Sequence, residues 1–105
     1  MSAPLQLTIA DGIAEIRLDD GKVNALSESM LEQLLAAIAK AAEADAALLI
    51  SGRPGVFSGG YDRKLIDAGG PACDAMRAAG DRLTLALLDY PAPVVIAATG
   101  HAMAK

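Results

Sequence analysis

The chain has 105 residues, is 53% hydrophobic, and carries nine Lys and Arg against 13 Asp and Glu, for a formal net charge of -4. A length of this order holds one small domain or part of a larger one, and an acidic balance gives no electrostatic footprint for nucleic acid. Two tyrosines, one phenylalanine and no tryptophan leave few platforms on which bases could stack.

The opening stretch MSAPLQLTIADG has neither a basic leader nor a sustained apolar run. No segment approaches the ~20 apolar residues of a membrane helix, so a cytoplasmic protein without a membrane partner is expected. LQLTI alternates, with Leu5, Leu7 and Ile9 on one face. Asp11-Gly12 then supplies a tight turn, and IAEIRL alternates again through Ala14, Ile16 and Leu18. Together these predict an opening β-hairpin.

Asp19 to Leu26 (DDGKVNAL) reads as a turn or loop, where Asp19 and Asp20 serve turn chemistry before catalysis. Ser27 is placed to cap a helix whose apolar positions are Leu31, Leu34, Leu35 and Ile38, followed by Ala41 and Ala42. The short apolar run over 46–50, ended by SGRPG, reads as a strand covered on both faces. GVFSGGYD then places two glycines between that run and a short helix over 62–67. After the interrupting AGGP a longer helix is expected over 72–89, with Met76, Leu83 and Leu87 on its buried side. Pro91 and Pro93 end it, and VVIAA (94–98) reads as another buried strand. The order β-β-α-β-α-α-β, with internal apolar strands joined by helical crossovers, predicts an α/β fold with a parallel sheet.

In such a sheet the loop at a strand's carboxyl end is where ligands bind. At Gly59-Gly60 bare backbone lets N–H groups face an acceptor oxygen, and a helix start adds partial positive charge. An ordinary turn fits the local residues as well. No Gly-Lys-Ser/Thr follows, so the stretch is not a P-loop, and it is not G-x-G-x-x-G. Ser58 in FSGG lacks the nucleophile-elbow pattern. His101, the single histidine, has no second ligand at metal spacing and reads as a loop histidine, so no metal site is expected. Cys73, the single cysteine, fits a small helix side chain in a reducing compartment better than a nucleophile.

Three segments in order, KVNAL (22–26), VFSGGYDRKLI (56–66) and PVVIAATGHAMAK (93–105), resemble the N-terminal part of the crotonase superfamily and are similar to enoyl-CoA hydratase/isomerase. The resemblance covers nearly the whole chain, whereas family members are much longer. It implies a crotonase-like spiral of ββα units, a mostly parallel sheet with an opening hairpin, and a chain that is the truncated N-terminal part of a single domain over 1–105. It further implies an acyl-CoA substrate in fatty acid metabolism, with coenzyme A entering as part of the thioester and no separate cofactor, and a homo-oligomer, a trimer or dimer of trimers.

Carried over residue by residue, the resemblance assigns the two backbone N–H donors for the thioester oxygen to Tyr61 and Lys105. It places Lys22, Val23, Ala25 and Leu26 on one wall of the coenzyme A channel, and Gly60, Tyr61, Asp62 and Lys64 on the other. Lys22 and Lys64 are the local cations for its phosphates. Ala104-Lys105 replaces the usual Gly-Gly, and the acid/base carboxylates of the hydratases lie downstream of this chain. The functions implied are hydration of a 2-enoyl-CoA or, alternatively, isomerisation or another thioester reaction. A non-catalytic acyl-CoA binding module is a third reading.

Overall fold

The computed structural model describes residues 5–21, 24–98 and 100–102, the last two of these by backbone alone. Strands β1 (Leu5–Ala10) and β2 (Ile13–Leu18) form the expected antiparallel hairpin, in register from Leu5↔Leu18 to Ala10↔Ile13. Its turn residues Asp11 and Gly12 have φ of 53° and 78°, the left-handed geometry a two-residue hairpin loop requires. The alternation read from β2 is the observed burial: Ala14, Ile16 and Leu18 are enclosed while Ile13, Glu15 and Arg17 face outward.

Helix α1 (Glu28–Glu43) begins where Ser27 accepts the Met30 N–H at 3.1 Å, and it buries Met30, Leu31, Leu34, Ala37, Ile38 and Ala41. Strands β3 (Ala47–Ser51) and β4 (Gly55–Ser58) follow, then α2 (Arg63–Ala68) and α3 (Gly70–Leu88). Gly69 lies between the two helices at φ 65°, with Pro71 in the first turn of α3. The chain closes on β5 (Val94–Ala97) and β6 (Gly100–Ala102).

Four strands join in the order β1-β2-β3-β5, antiparallel in the hairpin and parallel thereafter, while β4 and β6 pair in parallel as a second, two-stranded sheet. Each turn of the chain thus contributes β3 or β5 to the larger sheet and β4 or β6 to the smaller, with α3 between the turns. This is the α/β class with an opening hairpin, and its ββ pairs alternate with helix as the resemblance implied. Met76, Ala79 and Leu83 of α3 join α1 and the inner face of the sheet in one core. The Arg82–Glu32 ion pair (2.5 Å) links the two helices; with both side chains about half exposed it adds little to stability.

Three expectations change. The apolar stretch over 55–58 is a strand, so the glycine loop follows β4 and not β3. The segment carrying His101 is the strand β6 and not a loop, although the His101 side chain lies outside the described residues. Two-sided cover fails for β3 and β5: α1 and α3 occupy one face, and Glu15, Arg17 and Leu49 line an open depression on the other. At the edge of the sheet Val95 is 57% and Ile96 50% exposed among the described residues.

Candidate functional site

Two segments distant in sequence, 19–27 and 58–64, are held side by side by buried hydrogen bonds. In the first, Asp19 Oδ1 accepts the Gly21 N–H at 3.1 Å. Asp20 and Asn24 clasp each other, Asn24 N–H to Asp20 Oδ1 at 3.0 Å and Asp20 N–H to Asn24 Oδ1 at 2.9 Å. The turn role expected of both aspartates is what they perform. Asn24, with φ 52° and no exposed surface, uses its amide nitrogen twice more, donating to Leu18 O and to Phe57 O, each at 3.0 Å. The second of these bonds fastens the loop to β4.

Ser58 completes the fastening. Its buried hydroxyl donates to Asn24 O at 2.9 Å and accepts the Gly60 N–H at 3.0 Å. A hydroxyl with its proton and an acceptor site both engaged in this way is structural, in accord with the missing nucleophile motif. Leu26 then grips the loop from the other segment, donating its N–H to Gly60 O at 2.7 Å and accepting the Asp62 N–H at 3.4 Å. This is the hydrogen-bond pattern of a parallel bridge between Leu26 and Tyr61.

The bridge fixes a direction. Gly60 C=O and Tyr61 N–H belong to one planar trans peptide and point in opposite senses. With the carbonyl held against Leu26, the Tyr61 N–H is turned away from the 24–26 segment. Gly60, at φ 80°, supplies a backbone conformation that side chains rarely adopt.

The Tyr61 side chain is anchored as well. Its ring packs on α3 at Gly80, where a Cβ would stand 2.8 Å from Cζ and 2.9 Å from Cε1. A helix-interior glycine here makes room for an aromatic ring. Asp62 caps α2, its carboxylate accepting the Lys64 N–H at 2.9 Å, which fits the capping role expected of it better than acid/base work.

Between the segments lies an open cleft of about 390 Å³, lined by Asp20, Ala25 and Ser27 on one side and by Gly59, Tyr61, Asp62, Arg63 and Lys64 on the other. Of the expected site residues, Ala25, Tyr61, Asp62 and Lys64 meet at this cleft. Gly60 is buried behind it. Leu26 places its side chain in the core, 7% exposed, and meets the loop through its backbone. Lys22, Val23 and Lys105 lie outside the described residues. Asp20 and Arg63 join the cleft without having been assigned to a wall.

Asn24 and Gly80 are residues to which motif reading assigned no role, and Ser58 was weighed there only as a nucleophile. The Asn24 signal was present, since asparagine is a residue that tolerates a left-handed backbone and bonds to its own neighbourhood. Gly80, alone inside a long helical pattern, marks a close approach without naming the partner.

Among the described residues no three His, Cys, Asp or Glu side chains could hold a metal, and no helix is long and apolar enough to cross a membrane. Cys73 is a buried free thiol on α3.

Comparison with known proteins supplies the context. The family model for enoyl-CoA hydratase/isomerase matches residues 8–105. Two solved structures of one Mycobacterium tuberculosis protein resemble the chain: a probable enoyl-CoA hydratase (47% identity, TM-score 0.90) and an apo form described as an enoyl-CoA isomerase (48% identity, TM-score 0.89). The first comparison covers 95% of this chain and 43% of the relative, the second 97% and 45%. A human enoyl-CoA hydratase domain-containing protein 3 is 28% identical at a TM-score of 0.84, over 93% of this chain and 41% of its own. No curated protein matches significantly. The chain therefore spans less than half the length of these solved relatives. With the family model matched over nearly its whole length and close relatives of the same architecture, the chain belongs to the enoyl-CoA hydratase/isomerase family.

Proposed function

We propose that the cleft binds an acyl-CoA thioester, with the Tyr61 N–H donating to the thioester oxygen, and that the complete protein uses this grip to hydrate a 2-enoyl-CoA. The observation that carries the reading is the Gly60–Tyr61 peptide, held in a fixed plane by Leu26 at the edge of a cleft with Lys64 and Arg63 on its rim. In this reaction water's oxygen bonds to Cβ while a base removes its proton. The π electrons move onto the thioester oxygen as an enolate, and the carbonyl re-forms as Cα takes a proton. A preorganised N–H aimed at that oxygen is typically worth ~10²–10³ in rate. Lys105 would supply the second donor through its backbone. Lys22, Val23, Ala25 and Leu26 would border the coenzyme A moiety on one side, with Gly60, Asp62 and Lys64 on the other.

Isomerisation is the second reading, supported by the isomerase description of a relative at 48% identity. It uses the same oxygen grip and differs in moving a proton between carbons instead of adding water. A cytoplasmic location and a trimeric assembly belong to the proposal, and size-exclusion chromatography with light scattering checks the latter. Calorimetry with crotonyl-CoA tests the binding itself. Heat of binding is expected below millimolar ligand, with Lys64→Ala weakening it by several-fold if that cation meets a phosphate; no heat at millimolar crotonyl-CoA contradicts the proposal.

A further inference from the structure

We infer that Ser58, backed by Asn24, is the positioning residue that fixes the direction of the Tyr61 N–H; this rests on the reading of that N–H as the thioester donor. Gly60 joins two peptide planes, and glycine is the residue least able to hold such planes by itself. The structure holds both from outside. The Gly59–Gly60 plane is tied through the Gly60 N–H to Ser58 Oγ at 3.0 Å, and the Gly60–Tyr61 plane through Gly60 O to the Leu26 N–H at 2.7 Å. With both planes tied, φ and ψ of Gly60 have little freedom, and the Tyr61 N–H keeps one direction.

Ser58 can serve this way because its own hydroxyl has no choice of orientation. Its proton is committed to Asn24 O at 2.9 Å, which leaves an oxygen lone pair for the Gly60 N–H. Asn24 is in turn locked by the hydrogen bonds its side-chain amide donates to Leu18 O and Phe57 O and by its clasp with Asp20. Ser58 is 4% exposed and Asn24 fully buried, so water competes weakly for these bonds. Neither side chain lines the cleft. Their effect on a ligand runs through the backbone. An N–H donor stabilises developing charge because it needs no reorganisation when the charge appears, and this relay removes the freedom that a Gly-Gly pair would otherwise leave.

The test compares the wild-type chain with Ser58→Ala and Ser58→Thr. Amide hydrogen exchange is read by NMR at Gly60 and Tyr61, and calorimetry gives the affinity ratio of crotonyl-CoA to free coenzyme A. Losing the hydroxyl is expected to speed exchange at Gly60 by on the order of tenfold, with core amides of Ile16 and Leu48 changed far less. The thioester-to-coenzyme A ratio should fall several-fold while affinity for coenzyme A itself holds. Ser58→Thr, which keeps the hydroxyl, should restore both. Unchanged exchange at Gly60 in Ser58→Ala overturns the inference whatever the ligand data show. Faster exchange in a protein whose wild type shows no preference for the thioester would instead overturn the donor reading of Tyr61, leaving the relay as a purely structural lock. If Ser58→Thr proves too large for the site, Asn24→Ser serves as the second variant, loosening the same relay from its other end.

Discussion

The packing of Tyr61 on Gly80 makes a prediction about sign. In the interior of α3, Gly80→Ala by itself should gain about 1 kcal/mol of helix propensity. The new Cβ, however, would stand 2.8 Å from Tyr61 Cζ and 2.9 Å from Cε1, and closer still to the hydroxyl. Ordinary carbon contacts need roughly 3.5–4.0 Å, so the ring must shift by about 1 Å. Its backbone is clamped by the Leu26 bridge, which limits that escape. Overpacking of this kind costs about 1–3 kcal/mol, and the net effect of Gly80→Ala is a loss of up to about 2 kcal/mol. In a Tyr61→Ala background the ring is gone and the same change should stabilise by up to about 1 kcal/mol. Urea denaturation of the four proteins gives the coupling energy, expected at about 1–3 kcal/mol. Gly80→Ala stabilising by the same amount in both backgrounds would refute the claim that this glycine exists to seat Tyr61.

Asn24→Ala removes three side-chain hydrogen bonds of a buried residue and puts alanine at φ 52°, so a loss of about 3–5 kcal/mol in urea denaturation is expected, about 1–2 kcal/mol more than for Asn24→Gly, which loses the same bonds but accepts the backbone conformation. Tyr90 donates its hydroxyl to Ala46 O at 2.5 Å, and burial, with Asp45 adding to it, raises its phenol above the ordinary 10.0. A raised pKa in the folded state means that this contribution is complete below pH 10 and is lost as pH rises through the folded value; Tyr90→Phe should lose about 1 kcal/mol at neutral pH and show a shallower alkaline decline in stability. The 105-residue chain on crotonyl-CoA should leave the conjugated thioester absorbance unchanged, because Asp62 is spent on capping α2 and the hydratase carboxylates implied by family resemblance fall downstream; measurable hydration would move catalysis onto residues described here.

Where apolar period and turn chemistry were strong, reading the chain was enough. The hairpin through Asp11-Gly12, the Ser27-capped helix, the break at Gly69 and the end of α3 before Pro91 all follow from local rules and are present in the fold. Strands β4 and β6, of four and three residues, carry too few positions for a period-2 signal, and their pairing joins segments more than forty residues apart, as in Gly55↔Gly100. The exposure of Val95 and Ile96 was hidden because a β-branched run reads alike at an edge and in a core. At the site, the glycine loop and KVNAL were expected to form two walls, and of KVNAL it is Ala25 that borders the cleft with Tyr61, Asp62 and Lys64. What local sequence could not reveal was how they are joined: through Ser58, through the amide of Asn24, and through the Leu26 backbone while its side chain turns to the core.

The most direct test of the thioester grip is the amide resonance of Tyr61 during parallel titrations of the ¹⁵N-labelled chain with crotonyl-CoA and with free coenzyme A. Both ligands should perturb the amides of Ala25 and Lys64 beside the cleft, while only the thioester should move the Tyr61 N–H proton downfield, as a new hydrogen bond to its carbonyl requires. An identical Tyr61 response to the two ligands, or none to millimolar crotonyl-CoA, would contradict the account.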